Sequence, residues 1–213
     1  NDYFVRIFDN TPSSNWWIVL DVEKSVQVGA SPRSTEEHGI ILAASLADRG
    51  LRAGLPVGLA AYGKPFAWLP PREGDGQRWA ILRSLAVISP ASYSVSELLN
   101  NVRPAFSNNS SLILITSNAR GEWIKSLLPY LWRGNVPTVL LLDPQSFGGN
   151  SSIQPILQEL NRFSIQSHLI TPDLLDRPES KPGELGHWKW RITPSGRAIP
   201  IHPPSEEAWR ALT

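Results

Sequence analysis

The sequence predicts an α/β protein: a doubly wound, mostly parallel sheet with one antiparallel edge strand and a C-terminal β-hairpin. Three observations predict it. Short apolar runs without alternation recur along the chain, as expected of strands covered on both faces. Between them lie segments apolar at i, i+3, i+4 and i+7, the stripe of a half-buried helix. Strand and helix alternate over most of the length, which places parallel strands in one sheet with helices on both sides.

The first strand is expected at 16–20, where Trp16-Trp17-Ile18-Val19-Leu20 runs into Asp21-Val22-Glu23-Lys24-Ser25. Ser34-Thr35-Glu36-Glu37 then opens a helix with an Ala-rich stripe through Gly39, Leu42, Ala43 and Leu46. Its hydroxyl and carboxylate can satisfy each other's backbone N–H groups as a capping box. A strand at 57–61 is followed by another at 66–69 across Tyr62-Gly63-Lys64-Pro65. That connection suits only an antiparallel hairpin, and an antiparallel strand at the edge of a parallel sheet is common. A helix from about 77 to 88 presents Ile81, Leu85 and Ile88, and a second capping box, Ser94-Val95-Ser96-Glu97, opens a helix carrying Val95, Leu98, Leu99 and Val102. Next come a strand at 112–115 and a helix with Ile124, Leu127, Leu128 and Leu131. Pro129 predicts a kink or an early end in that helix. A strand at 138–142, a helix with Ile153, Ile156, Leu157 and Leu160, and a strand at 168–170 complete the alternation.

The tail differs. Residues 177–186 are rich in Pro and Gly and read as a linker or ordered loop. Trp188-Lys189-Trp190-Arg191-Ile192 alternates, Pro194-Ser195-Gly196 supplies a turn, and 197–201 can return as a second strand. Two units are therefore expected, an α/β domain over 1–176 and an appendage over 177–213 packed on it.

Composition excludes several classes. With 20 Lys and Arg against 19 Asp and Glu, the net charge of +1 gives no footprint for nucleic acid or an anionic membrane. There is no cysteine, so disulfides and thiolate metal sites are absent. The apolar runs are strand length, far short of the roughly 20 residues of a membrane-spanning helix. The chain opens on Asn-Asp-Tyr, with neither a signal-peptide pattern nor a methionine, and is expected to be a segment of something longer.

Ligands of open α/β sheets collect outside the carboxyl ends of the strands, at the point where strand order reverses. If the first strand is central and 112–115 its neighbour across that point, Asp21, Glu23, Ser25, Thr116 and Ser117 converge on one crevice. The loop 89–94 can add a third hydroxyl, from Ser92 or Ser94.

The spacing Asp21-x-Glu23-x-Ser25 falls one residue short of the Asp-x-Ser-x-Ser signature of metal-binding von Willebrand factor type A domains. Several further stretches, in order, resemble a bacterial relative of that fold, the family called domain of unknown function 58. They are Val19-Leu20-Asp21 with Gln27-Val28-Gly29, Val57-Gly58-Leu59 to Tyr62-Gly63, Trp68-Leu69-Pro70-Pro71, and Val139 to Asp143-Pro144. The tail from Arg177-Pro178-Glu179 to Trp188-Lys189-Trp190-Arg191 and Gly196-Arg197-Ala198 also resembles a branch of the family. The resemblance implies a Rossmann-like, von Willebrand factor A-like fold and a degenerate metal-ion-dependent adhesion site. Asp21 and Ser25 match that site; Glu23 stands where its first Ser would be, Ser117 where its second Asp would be, and Ser92 or Ser94 can replace its Thr. It also implies a non-catalytic, cytoplasmic interaction module, tethered to the membrane by upstream segments and working with a MoxR-type AAA+ ATPase.

Hard cations such as magnesium need oxygen ligands in a near-octahedral set, so two readings of the crevice compete. In the plainer one, no cofactor is bound, and Asp21 accepts hydrogen bonds from neighbouring hydroxyls and backbone N–H groups and so holds the loop. In the other, a magnesium at Asp21 and Ser25, with Glu23 as a second carboxylate, serves a hydrolase or nucleotide-binding enzyme. An extracellular adhesion domain is a third reading, which requires an export signal upstream. A Ser25–His38–Asp21 triad can be written down, but no Gly-x-Ser-x-Gly elbow supports it, and His38 is expected on the first helix, exposed or otherwise satisfied. Phe147-Gly148-Gly149-Asn150-Ser151-Ser152 lacks the Lys-Ser/Thr of a phosphate loop, and no Gly-x-Gly-x-x-Gly follows the first strand. Nine tryptophans are expected mostly in core or edge positions with partnered indoles, while Trp188 and Trp190 share a strand face that suits a contact surface.

Overall fold

The computed structural model describes residues 15–106, 110–133, 135, 137–176, 189–192 and 198–202; 175–176 and the last two segments are described as backbone only. Six strands form the central sheet: β1 (Asn15–Leu20), β4 (Val57–Ala61), β5 (Ala67–Arg72), β6 (Ser110–Thr116), β7 (Thr138–Leu142) and β8 (Gln166–Ile170). Their spatial order is β5-β4-β1-β6-β7-β8. Only the β4–β5 pair is antiparallel, and it lies at one edge. This is the expected doubly wound α/β fold. The order reverses between β4 and β6 on either side of β1, so β1 is central and β6 is its neighbour across the switch.

The strands read as unbroken apolar runs because both faces are covered. Along β1, Trp16, Ile18 and Leu20 face a cluster with Ala43, Leu46 and Ala47 of α1 (Thr35–Arg52) and Ile81 and Leu85 of α2 (Gly74–Val87). Trp17 and Val19 face the opposite cluster. That one holds Leu98 and Leu99 of α3 (Val95–Val102), Ile124 and Leu127 of α4 (Ile124–Trp132), and Ile156 and Leu160 of α5 (Gln154–Arg162). At about 25 cal/mol per Å² of apolar surface removed from water, these two layers are the main stabilising term.

The structure departs from the sequence expectations in several places; at the start of α1 only half of the expected capping box is present, the Ser34 hydroxyl accepting the Glu37 N–H at 3.2 Å. A two-residue hairpin of β2 (Gly29–Ala30) and β3 (Arg33–Ser34) precedes α1; it is too short to carry a periodic signal. β5 runs on through Pro70 and Pro71 to Arg72, as an edge strand with a register shift allows. α4 passes through Pro129 and ends three residues later; the carbonyl that loses its partner is that of Lys125, an exposed position where water can serve. His38 is buried, neither exposed nor fully satisfied: Nδ1 lies 3.0 Å from the Ser34 carbonyl, Nε2 is buried without a partner, and the ring is edge-on to Phe147. The indole N–H groups of Trp16 and Trp17 are buried without partners, because the middle of a sheet covered by apolar side chains offers them no acceptor. Trp17 packs instead against Trp68 and Phe106.

β9 (Lys189–Ile192) and β10 (Ala198–His202) pair antiparallel as a separate two-stranded sheet, the expected C-terminal hairpin. Trp188 and the loop 177–186 lie outside the described residues, and of Trp190 only the backbone is described.

Candidate functional site

The site begins where β1 and β6 end side by side. The ladder continues one step beyond β1, with the Asp21 N–H bonded to the Ile115 carbonyl at 2.9 Å. This sets Asp21 beside Thr116, 95 positions away in sequence, and the Thr116 hydroxyl donates to Asp21 Oδ2 at 2.6 Å. Asp21 Oδ1 accepts the Glu23 N–H at 3.0 Å. Asp21 is buried, and desolvation raises its pKa from 3.8 to about 6, against the lowering effect of these two hydrogen bonds.

Past Asp21 the chain runs through Val22 and Glu23 into a 3-10 turn, Lys24–Val26. It is pinned from two sides. The Lys24 N–H bonds the Ala91 carbonyl at 2.7 Å and the Ala91 N–H bonds the Val22 carbonyl at 3.0 Å, which ties in the loop before α3. The Gln27 side-chain amide donates to the carbonyls of Asp21 and Glu23 at 3.2 and 3.3 Å. Glu23 is turned inward, 8% exposed, and its Oε1 accepts the Ser25 hydroxyl. Ser25 therefore pairs with Glu23, not with Asp21.

The other wall follows β6. Asn118 closes an Asx turn, accepting the Arg120 N–H on Oδ1 at 2.8 Å, while its carbonyl receives the Trp123 indole N–H at 3.0 Å. Gly121, at φ +77°, completes the turn in a conformation that favours glycine. Arg120 is thereby laid over the first loop. Its guanidinium donates to the Ser25 hydroxyl at 3.1 Å and lies 3.6 Å from Glu23 Oε1. With Arg120 half-exposed, this ion pair contributes at most about 1 kcal/mol.

The crevice thus brings together Asp21, Glu23, Ser25 and Thr116. Ser117 is buried beside them, but its hydroxyl donates to the Val26 carbonyl at 2.9 Å. Ser94 caps α3, accepting the Glu97 N–H while Glu97 returns to the Ser94 N–H at 3.1 Å, a complete capping box. Ser92 is exposed on the same loop. Sequence reasoning missed Arg120, Gln27 and Asn118. Arg120 carried a signal, as the sole basic residue in the 117–123 loop at the strand end.

Chemically, these groups are arranged to hold one another. His38 bonds its own helix start and takes no part, so the triad is not formed. In this arrangement both Asp21 oxygens, the Ser25 hydroxyl and the Ser117 hydroxyl are engaged in hydrogen bonds and a guanidinium stands over Glu23, so an octahedral magnesium would have to displace Arg120 and re-aim these groups. Among the described residues, no three His, Asp or Glu side chains gather as metal ligands. One group is left over: Glu23 Oε2 is buried without a hydrogen-bond partner.

The model of a family described as protein of unknown function DUF58 matches residues 1–146 of the 213. No curated protein matches the chain.

Proposed function

The chain belongs to the family of unknown function DUF58, and on that premise we propose that it is a non-catalytic protein–protein interaction module. In this reading the fold is a diverged von Willebrand factor A-like domain, its strand-end crevice is a degenerate adhesion site, and the 177–213 tail is an appendage. The observation that carries the reading is the closed network at the crevice, in which Arg120 lies over Glu23 and Ser25 where a cation-dependent site would present open ligands. An ordered rim of charged and hydroxyl groups around a rigid strand end suits recognition of a partner surface.

The partner that the family resemblance suggests is a MoxR-type AAA+ ATPase, with the module cytoplasmic and held at the membrane by segments outside this chain. Among the described residues no helix is long and apolar enough to cross a membrane, so any anchoring falls to other segments. The test is direct binding between the purified chain and such an ATPase. A complex with a Kd in the range of about 1–100 µM is expected, weakened at least tenfold by Arg120→Gln, which removes the charge without setting another carboxylate against Glu23, with the melting temperature little changed. No complex at about 100 µM of either protein removes the ATPase from this account.

The enzyme reading keeps one observation in its favour: a buried carboxylate with a raised pKa beside a second carboxylate bearing a free oxygen is a pattern frequent at catalytic sites. Calorimetric titration of magnesium and manganese separates the two. Saturable binding that stabilises the fold and is lost in Ser25→Ala favours the enzyme. No heat at millimolar metal, about the weakest affinity of physiological interest, favours the module.

A further inference from the structure

Beside the crevice lies a pocket of about 430 Å³ lined by Tyr62, Gly63, Phe66, Tyr93, Glu97 and Asn101. It is built from the β4–β5 connection on one side and the loop and first turns of α3 on the other. The two sides are locked together. The Lys64 N–H bonds the Ser89 carbonyl at 2.9 Å, the Ser89 N–H returns to the Lys64 carbonyl at 3.0 Å, and the Asn101 amide donates to the Tyr62 hydroxyl. The pocket wall is therefore preformed.

Its lining is unusual for a surface. Phe66 and Tyr93 are 56% and 58% exposed, and both incline against Tyr62, with ring centroids 5.0 and 5.5 Å apart and interplanar angles of 56° and 66°. The three rings meet at these angles and line the pocket together, so it offers aromatic surface that is negative over each ring centre. Glu97 adds a carboxylate. One oxygen takes the Ser94 N–H, and among the described residues no basic side chain pairs with it. The Asn101 amide oxygen stands on the same helix, one turn further on.

We propose that this pocket receives an arginine side chain from an extended segment of a partner protein. Charge decides the class of guest, since an apolar group covering Glu97 would strip water from a carboxylate without replacing it. Shape decides the residue. A planar guanidinium can lie against an aromatic face while its N–H fork reaches a carboxylate and an amide oxygen, which a lysine ammonium cannot do as well. The loop that supplies Tyr93 to the pocket is the one tied to the crevice at Ala91, whose backbone bonds both Val22 and Lys24. The biological occupant rests on the interaction reading above; the arginine chemistry does not.

The probe is the peptide acetyl-Ala-Ala-Arg-Ala-Ala-amide, with citrulline in place of arginine as its uncharged counterpart, titrated into the full 213-residue chain and followed by NMR of the tyrosine rings. The arginine peptide is expected to shift the Tyr62 and Tyr93 signals saturably, at least about fivefold more tightly than the citrulline peptide. Glu97→Gln keeps the capping box, because glutamine serves at that position, and is expected to weaken arginine binding about fivefold at unchanged melting temperature. Tyr93→Ala, at an exposed loop position, is expected to do the same. Equal response to both peptides, no response at about 20 mM, or binding that survives both substitutions overturns the proposal. Peptide binding without ATPase capture sinks only the named partner; ATPase capture without peptide binding sinks only the pocket.

Discussion

At Asp21 the fold keeps a carboxylate where water cannot reach it. The Thr116 hydroxyl and the Glu23 N–H compensate only part of the lost hydration, so the proton is held up to about pH 6 rather than 3.8. A rise of that size corresponds to roughly 3 kcal/mol between the two protonation states. Because the folded-state pKa is raised, the folded protein binds the proton more tightly than the unfolded chain does. The stabilising contribution of Asp21 is complete below about pH 4 and is lost as pH rises through 6. Asp21→Asn cannot lose a proton there. Relative to the wild type, its stability is expected to improve progressively between pH 4 and 7 and then level off, as read from paired thermal melts. A difference that is flat across that range contradicts the burial argument. The identity of Asp21 as a candidate was legible in the sequence, as a carboxylate just past an apolar strand. The inward turn of Glu23 was not, because it depends on Arg120 and Ser25 arriving to receive it.

At the scale of elements, the alternation of apolar runs and helical stripes was enough to find β1, β4, β6, β7 and α1 to α5. What it missed are pieces held by tertiary contact: the β2–β3 hairpin and the extension of β5 past two prolines. The β4–β5 connection shows how such contact constrains a single position. A Cβ at Gly63 would lie 2.3 Å from Ile88 Cγ1 and 2.8 Å from the Ser89 carbonyl oxygen, in the seam that closes the aromatic pocket. Gly63→Ala is expected to destabilise by about 2–4 kcal/mol and to loosen the Tyr62–Tyr93 corner. Gly76, inside α2 with nothing within 4 Å, is the control: Gly76→Ala is expected to stabilise by roughly 0.5–1 kcal/mol. Denaturant titrations of the two variants check both signs.

For the whole molecule, the sheet order puts β1 and β6 in the middle, where each side chain has a helix layer above or below and each ladder a neighbour on both sides. At the far edge, β8 is only half-covered, and Leu169 is 41% exposed. Amides of Ile18, Val19, Leu114 and Ile115 are therefore expected to exchange with solvent only through global unfolding, and those of β8 through easier local opening. Native-state hydrogen exchange measures this directly; protection of β8 equal to that of β1 would show the sheet opening as a single unit. The same arrangement places the crevice at the ends of the central strands β1 and β6, while the aromatic pocket lies at the connection of the edge pair β4–β5.

By itself the sequence determined the fold class, the order of the elements and the strand end at which function should be sought. Those follow from hydrophobic periodicity and turn chemistry, which act locally and leave a readable trace. Tertiary structure alone decided which polar groups meet. Thr116 reaches Asp21 and Arg120 reaches Ser25 across a sequence separation of 95, and three rings from two loops line one pocket. Such pairings are set by where loops land at the ends of packed strands. Hydrogen bonds and ring contacts have no period along the chain, so nothing in the spacing of residues announces them.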